Sequence, residues 1–160
     1  MIDYPAIWSE VRSRFPCKLE SIHGSEHWLR VEVVGLKIAH LLESGGKYVD
    51  RDVVKLFVVL HDSCRLNDGS DPDHGRRAAI YAREMRGRLF DLDDARFELL
   101  FKALGAHADG FTSSDLTIGT CFDADRWDLR RFGITLDPAY ISIPEMRARI
   151  WSRVPGSAGR

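Results

Sequence analysis

The stretch Val53-Val54-Lys55-Leu56-Phe57-Val58-Val59-Leu60 is almost unbroken apolar sequence, and it runs straight into His61-Asp62. A segment that is hydrophobic nearly all round must be buried, so the rest of the chain has to wrap around it. The run by itself does not separate a buried strand from a buried helix. Its surroundings favour helix: Asp50 is placed to cap a first turn, and helical periodicity lies on both sides. The dipeptide then falls where that central helix stops. An imidazole and a carboxylate are costly to bury at such a point unless something binds them.

The chain has 160 residues, 44% hydrophobic and 29% charged, which suits one soluble globular domain with a sizeable core. The patterning predicts an all-α fold, a compact bundle of six or seven helices over residues 1–154, followed by a frayed tail at 155–160. An opening helix is expected from Tyr4 to about Phe15, stopped by Pro16. Ser25 is read as the N-cap of a long helix to about Glu43, with His27, Val31, Val34 and Ile38 on its inner face. The central helix is expected to extend to Asp62. Asp71-Pro72-Asp73-His74 reads as another helix start, with Asp71 as cap and Pro72 in the first position. Phe97, Leu100, Phe101 and Leu104 form the apolar stripe of a fifth helix, and His107 follows at its core side. Thr112-Ser113-Ser114 is expected to cap a helix running to about Phe132, and a short helix follows Pro144.

A net charge of −1 gives no basis for bulk nucleic-acid or acidic-membrane binding. No apolar stretch approaches the ~20 residues that span a bilayer. Three scattered cysteines without a CxxC pair argue against a zinc ribbon, and Cys64 and Cys121 read as buried fillers. The expected location is a reducing cytoplasm. His40 is expected at the helix surface or core edge.

Imidazoles and carboxylates fall mostly at predicted helix ends, which in a bundle can converge. Such a mixture suits divalent first-row metals. Within the acidic run Asp123-Ala124-Asp125-Arg126-Trp127-Asp128, Asp125 lies on the stripe of Ile118, Phe122, Leu129 and Phe132. It is therefore the expected ligand, with Asp123 as runner-up. From about residue 20 to 132 the order of these groups resembles the HD-domain superfamily of metal-dependent phosphohydrolases. His27 in HGSEHWLRV matches the histidine that opens a helix, His61-Asp62 the name-giving pair, and Asp125 in ADRWD the final aspartate. His74 in HGRRAA and His107 match the two additional histidines of members that hold two metals. Gly75 directly after His74, and the short loop between Asp62 and His74, depart from the family pattern.

The resemblance implies metal ligands His27, His61, Asp62, His74, His107 and Asp125. It implies one or two divalent ions, drawn from Fe, Mn, Co, Ni or Zn, with Mg disfavoured. Water on such an ion is acidified to a hydroxide nucleophile, and a phosphoester on the same ion is polarised. The expected activity is hydrolysis of a small phosphorylated compound, nucleotides included. Asp62 takes part in catalysis, Arg65 contacts phosphate through its forked guanidinium, and His23 and Glu26 orient ligands or donate protons. Asp68 and Asp73 are weaker candidates for that last role. Two other readings stay open, an HD-type diiron oxygenase and a non-catalytic metal- or ligand-binding module. So does assembly into a homo-oligomer.

Overall fold

The structure, a computed structural model, describes residues 1–151. Among them are seven α-helices: α1 Tyr4–Arg14, α2 Ser25–Ser44, α3 Arg51–Leu60, α4 His74–Met85, α5 Asp94–Ala106, α6 Leu116–Trp127 and α7 Pro144–Trp151. Short 3₁₀ turns occupy His107–Asp109, Asp128–Phe132 and Pro138–Tyr140. No strand forms among the described residues, only two isolated bridges that include Phe90. The all-helical reading therefore holds. The proposed tail at 155–160 lies outside the described residues.

The central helix is α3. The Asp50 side chain accepts from the backbone N–H groups of Asp52 and Val53 and so satisfies two of the donors a helix start leaves open. Val53, Val54 and all residues from Leu56 to Leu60 are buried, and α1, α2, α5 and α6 pack around them in one continuous core. Arg96 of α5 fixes the start of α3 by reaching both Asp50, at 2.5 and 2.8 Å, and Asp52, at 2.9 Å. No helix among the described residues is long and apolar enough to cross a membrane. The three cysteines are free.

Several helix ends differ from expectation, each for a local reason. Ser25 is the first helical residue of α2 and not its cap, because its hydroxyl donates to the Leu19 carbonyl instead. The N-cap is Gly24, where a Cβ would stand 2.0 Å from the Leu19 carbonyl oxygen, so no side chain fits. Helix α3 ends at Leu60, and a hydrogen-bonded turn carries His61 and Asp62. Helix α4 starts at His74, because the Asp71 carboxylate is taken by Arg77 and the Leu66 N–H. Asp115, not Thr112-Ser113-Ser114, caps α6. That helix stops at Trp127, five residues short of Phe132. The 3₁₀ winding from Asp128 turns Leu129 and Phe132 outward, to 41% and 51% exposure, so they leave the expected core stripe.

Candidate metal centre

Five helix ends meet at one place: the starts of α2 and α4 and the ends of α3, α5 and α6. They bring together His27, His61, Asp62, His74, His107 and Asp125. His27 Nε2 stands 3.1 Å from His61 Nε2, 3.2 Å from Asp125 Oδ1 and 3.6 Å from Asp62 Oδ2. His74 Nε2 stands 2.9 Å from His107 Nε2 and 3.1 Å from Asp62 Oδ1. Three groups of ligand atoms lie within 4.8 Å of one another: His27, His61 and Asp125; Asp62, His74 and His107; and His23, His27 and Asp62. The first two share no residue and form two clusters, and the third overlaps both. Asp62 links them, one carboxylate oxygen facing each.

The outer nitrogen of every ring is engaged. His61 Nδ1 donates to the Val58 carbonyl at 2.9 Å, His74 Nδ1 to Asp71 at 2.5 Å and His107 Nδ1 to Leu104 at 2.8 Å. His27 Nδ1 donates to Asp128 Oδ2 at 2.7 Å. A carbonyl only accepts, so the proton of each neutral ring sits on Nδ1, and Nε2 presents a lone pair. With all four rings neutral, the 2.9 and 3.1 Å contacts between Nε2 atoms would set lone pair against lone pair, so each contact calls for a cation, either a proton on one ring or a metal ion. The donor set fits a divalent ion in both clusters, since neutral imidazole with carboxylate suits Fe, Mn, Co, Ni or Zn.

The electrostatics agree. Burial disfavours charge on His27, yet Asp125 and Asp128 outweigh it and push its pKa up to about 9. Burial lowers His61 to about 4, which keeps its Nε2 free of protons. Burial alone would raise Asp62, but the surrounding histidines hold it well below the usual carboxylate range. Asp123, the runner-up ligand, is fully buried and accepts from the Ser142 and Ile143 N–H groups at 2.7 and 2.8 Å. Backbone satisfies it, and it anchors the segment before α7.

Other expected residues are placed variously. His23, partly exposed, bonds Asp62 Oδ2 through Nδ1 at 2.9 Å, so it belongs to the rim of the site. Arg65 lines the cavity, but its Nε donates to Asp62 Oδ1 at 3.0 Å and its Nη1 to the Asn67 and Gly69 carbonyls. Glu26 is not brought to the site: its side chain is 85% exposed, paired only loosely with Arg30 at 3.9 Å. Asp68 is exposed, and Asp73 precedes α4 and pairs with Arg76.

Three residues beyond the expected set border the centre. Asp128, buried, grips His27 and is itself held by Arg30 at 2.8 Å and Arg131 at 3.0 Å. Arg126 and Arg131 line the cavity, which encloses about 310 Å³. The basic run after Asp125 carried a signal for the arginines. Nothing local marked Asp128, because its partner lies 101 residues away. Asp128→Asn should weaken metal binding about 10–100-fold, the usual cost of losing a carboxylate behind a ligating histidine, as read by competition with a chromogenic chelator. An unchanged affinity would contradict this role.

Gly75, the departure from the family pattern, has a steric reason. A Cβ there would lie 2.5 Å from the Leu104 carbonyl oxygen and 3.1 Å from the His107 ring. Only glycine lets the start of α4 close on the end of α5 and bring His74 to His107. Gly75→Ala is expected to cost about 1–3 kcal/mol in urea unfolding and to lower metal occupancy. A neutral substitution would show that this packing tolerates movement.

In comparisons with protein-family models, curated proteins and solved structures, the chain has no match.

Proposed function

We propose that this chain is a metal-dependent phosphohydrolase of HD type, acting on a small phosphorylated compound such as a nucleotide. The observation that carries the reading is the pair of facing Nε2 contacts joined through Asp62, under a cavity bordered by Arg65, Arg126 and Arg131. Guanidinium groups suit the paired oxygens of a phosphoryl group. A divalent metal bound here would supply Lewis acidity and lower the pKa of water toward neutrality.

The protein's own groups do the rest. Asp62 sets the separation of the two clusters, while carbonyls behind His61, His74 and His107 and the Asp128 carboxylate behind His27 hold each Nε2 in line. Arg126 donates to the Tyr140 and His107 carbonyls and is thereby fixed on the cavity wall, where it orients an anion. Arg131, held by Asp128 and the Ile22 carbonyl, does so from the 3₁₀ turn that follows α6. His23, at the rim and bonded to Asp62, is placed to pass a proton to a departing oxygen.

The set of four histidines and two aspartates also favours a second reading, an HD-type diiron oxygenase. Protein reconstituted separately with Mn, Co, Zn and Fe should be assayed on phosphomonoesters, nucleotides and cyclic nucleotides. Release of phosphate or nucleoside above His61→Ala and Asp62→Ala controls is expected. No release with any metal overturns the hydrolase. Oxygen consumption with two irons and a phosphonate or polyol would put the oxygenase in its place, and tight ligand binding without turnover a binding module.

A further inference from the structure

We infer that the outer face of α2 is a self-association surface, on which two copies of this chain pair their α2 helices antiparallel about a two-fold axis. The face opposite the buried Val31, Ile38 and Leu42 carries the exposed residues Glu26, Leu29, Val33, Lys37 and His40. Their spacing of three, four, four and three residues makes one continuous stripe along the helix. Leu29 and Val33, each 52% exposed, form its centre. Beside them runs a groove of about 390 Å³ between α2 and the Asp128–Phe132 turn, its apolar wall formed by Leu29, Val33, Val34 and Trp127 and its edge by Arg30, Asp128, Arg130 and Arg131. Leucine and valine adjacent on one helix face, opening onto a groove, are a surface that gains by being covered.

The charges on the stripe select the occupant and its direction. Glu26 stands at one end, Lys37 and His40 at the other, with the apolar pair between. In an antiparallel pair, residues face each other when their numbers sum to a constant. Leu29 with Val33 of the second copy gives 62 and Glu26 with Lys37 of the second copy gives 63, an offset of one residue, or about 1.5 Å along the axis, which the long Glu26 and Lys37 side chains span. A parallel pair would set Glu26 against Glu26 and Lys37 against Lys37. Lys37 has no hydrogen-bond or ion-pair partner among the described residues, and Glu26 only the loose contact with Arg30, so both are available. Because one stripe meets itself, the contact closes as a dimer and does not propagate. His27 faces the other way, into the core, so the metal ligands themselves lie outside the contact, although the groove borders Arg30, Asp128 and Arg131 behind His27.

The test is sedimentation equilibrium of the full chain, with helicity followed by circular dichroism. Wild type should sediment at twice the chain mass at concentrations up to ~0.1 mM. Val33→Glu should be monomeric with unchanged helicity. Lys37→Glu should weaken the dimer about tenfold, since the two-fold turns two attractive pairs into two repulsive ones. Glu26→Lys combined with Lys37→Glu should restore the wild-type dissociation constant. A monomeric wild type overturns the inference, and so does a Lys37→Glu protein that dimerises unchanged. A double variant as weak as Lys37→Glu overturns the antiparallel register.

Discussion

Asp62→Ala is expected to remove metal from both clusters at once and to abolish any metal-dependent turnover. One of its carboxylate oxygens lies 3.6 Å from His27 and His61, and the other 3.1 Å from His74 and 3.8 Å from His107. Asp62 thus offers a carboxylate oxygen to each set, whereas Phe57 meets both only through ring contacts with His61 and His107. His107→Ala provides the contrast, because it takes a ligand from one cluster and leaves His27, His61 and Asp125 intact. Metal per chain, measured by elemental analysis after gel filtration, should therefore fall to near zero for Asp62→Ala and only by part for His107→Ala. Equal losses in the two variants would mean that the clusters do not act through Asp62. The substitution also strands the guanidinium of Arg65, whose Nε donates to Asp62 in a largely buried setting. Breaking such a pair from one side is strongly destabilising, so Asp62→Asn should accompany it to keep the shape while removing the charge.

Loading the protein with metal should raise its thermal stability by a large and pH-dependent amount. An ion that binds only the folded chain adds about 2.7 kcal/mol at a hundred times its dissociation constant. For a domain of this length that corresponds to a rise of roughly 5–10 °C in midpoint. The sign of the pH effect follows from His27. Its folded pKa of about 9 exceeds the ordinary 6.5, so in metal-free protein this proton stabilises the fold below pH 6.5. That contribution is lost as pH rises toward 9. Metal must displace the same proton, so its affinity climbs over the same interval. The difference in midpoint between metal-loaded and chelator-treated protein should accordingly widen from pH 6.5 to 9, by differential scanning calorimetry. A gap that is constant or narrows would show that His27 does not bind the ion.

The helical architecture was legible because it rests on periodicity and on caps that act within a few residues. Asp50 caps α3 where the sequence places it. The errors fell where a capping residue had a competing partner out of sight. Asp71 looks like a helix cap until Arg77 claims its carboxylate, and Ser25 until the Leu19 carbonyl takes its hydroxyl. The six groups that converge were legible in order and type, since each sits at a helix end that sequence could locate. Choosing Asp125 over Asp123 was likewise possible from position on α6. The stripe behind that choice was only half right, because Leu129 and Phe132 turn to solvent where the winding tightens. Glu26 shows the opposite limit: adjacent to a candidate ligand in sequence, it points to water because neighbouring residues on a helix diverge by about 100°.

Val58, Asp71 and Leu104 each stand three residues before a site histidine, and each holds that ring by its main-chain oxygen. The side chains at these positions take no direct part in the tether: those of Val58 and Leu104 pack in the core, and that of Asp71 binds Arg77 and the Leu66 N–H. His27 is restrained differently, by a carboxylate contributed from the far end of the chain. Three of the four rings are thus tethered by main chain, while the fourth depends on the carboxylate of a single acid.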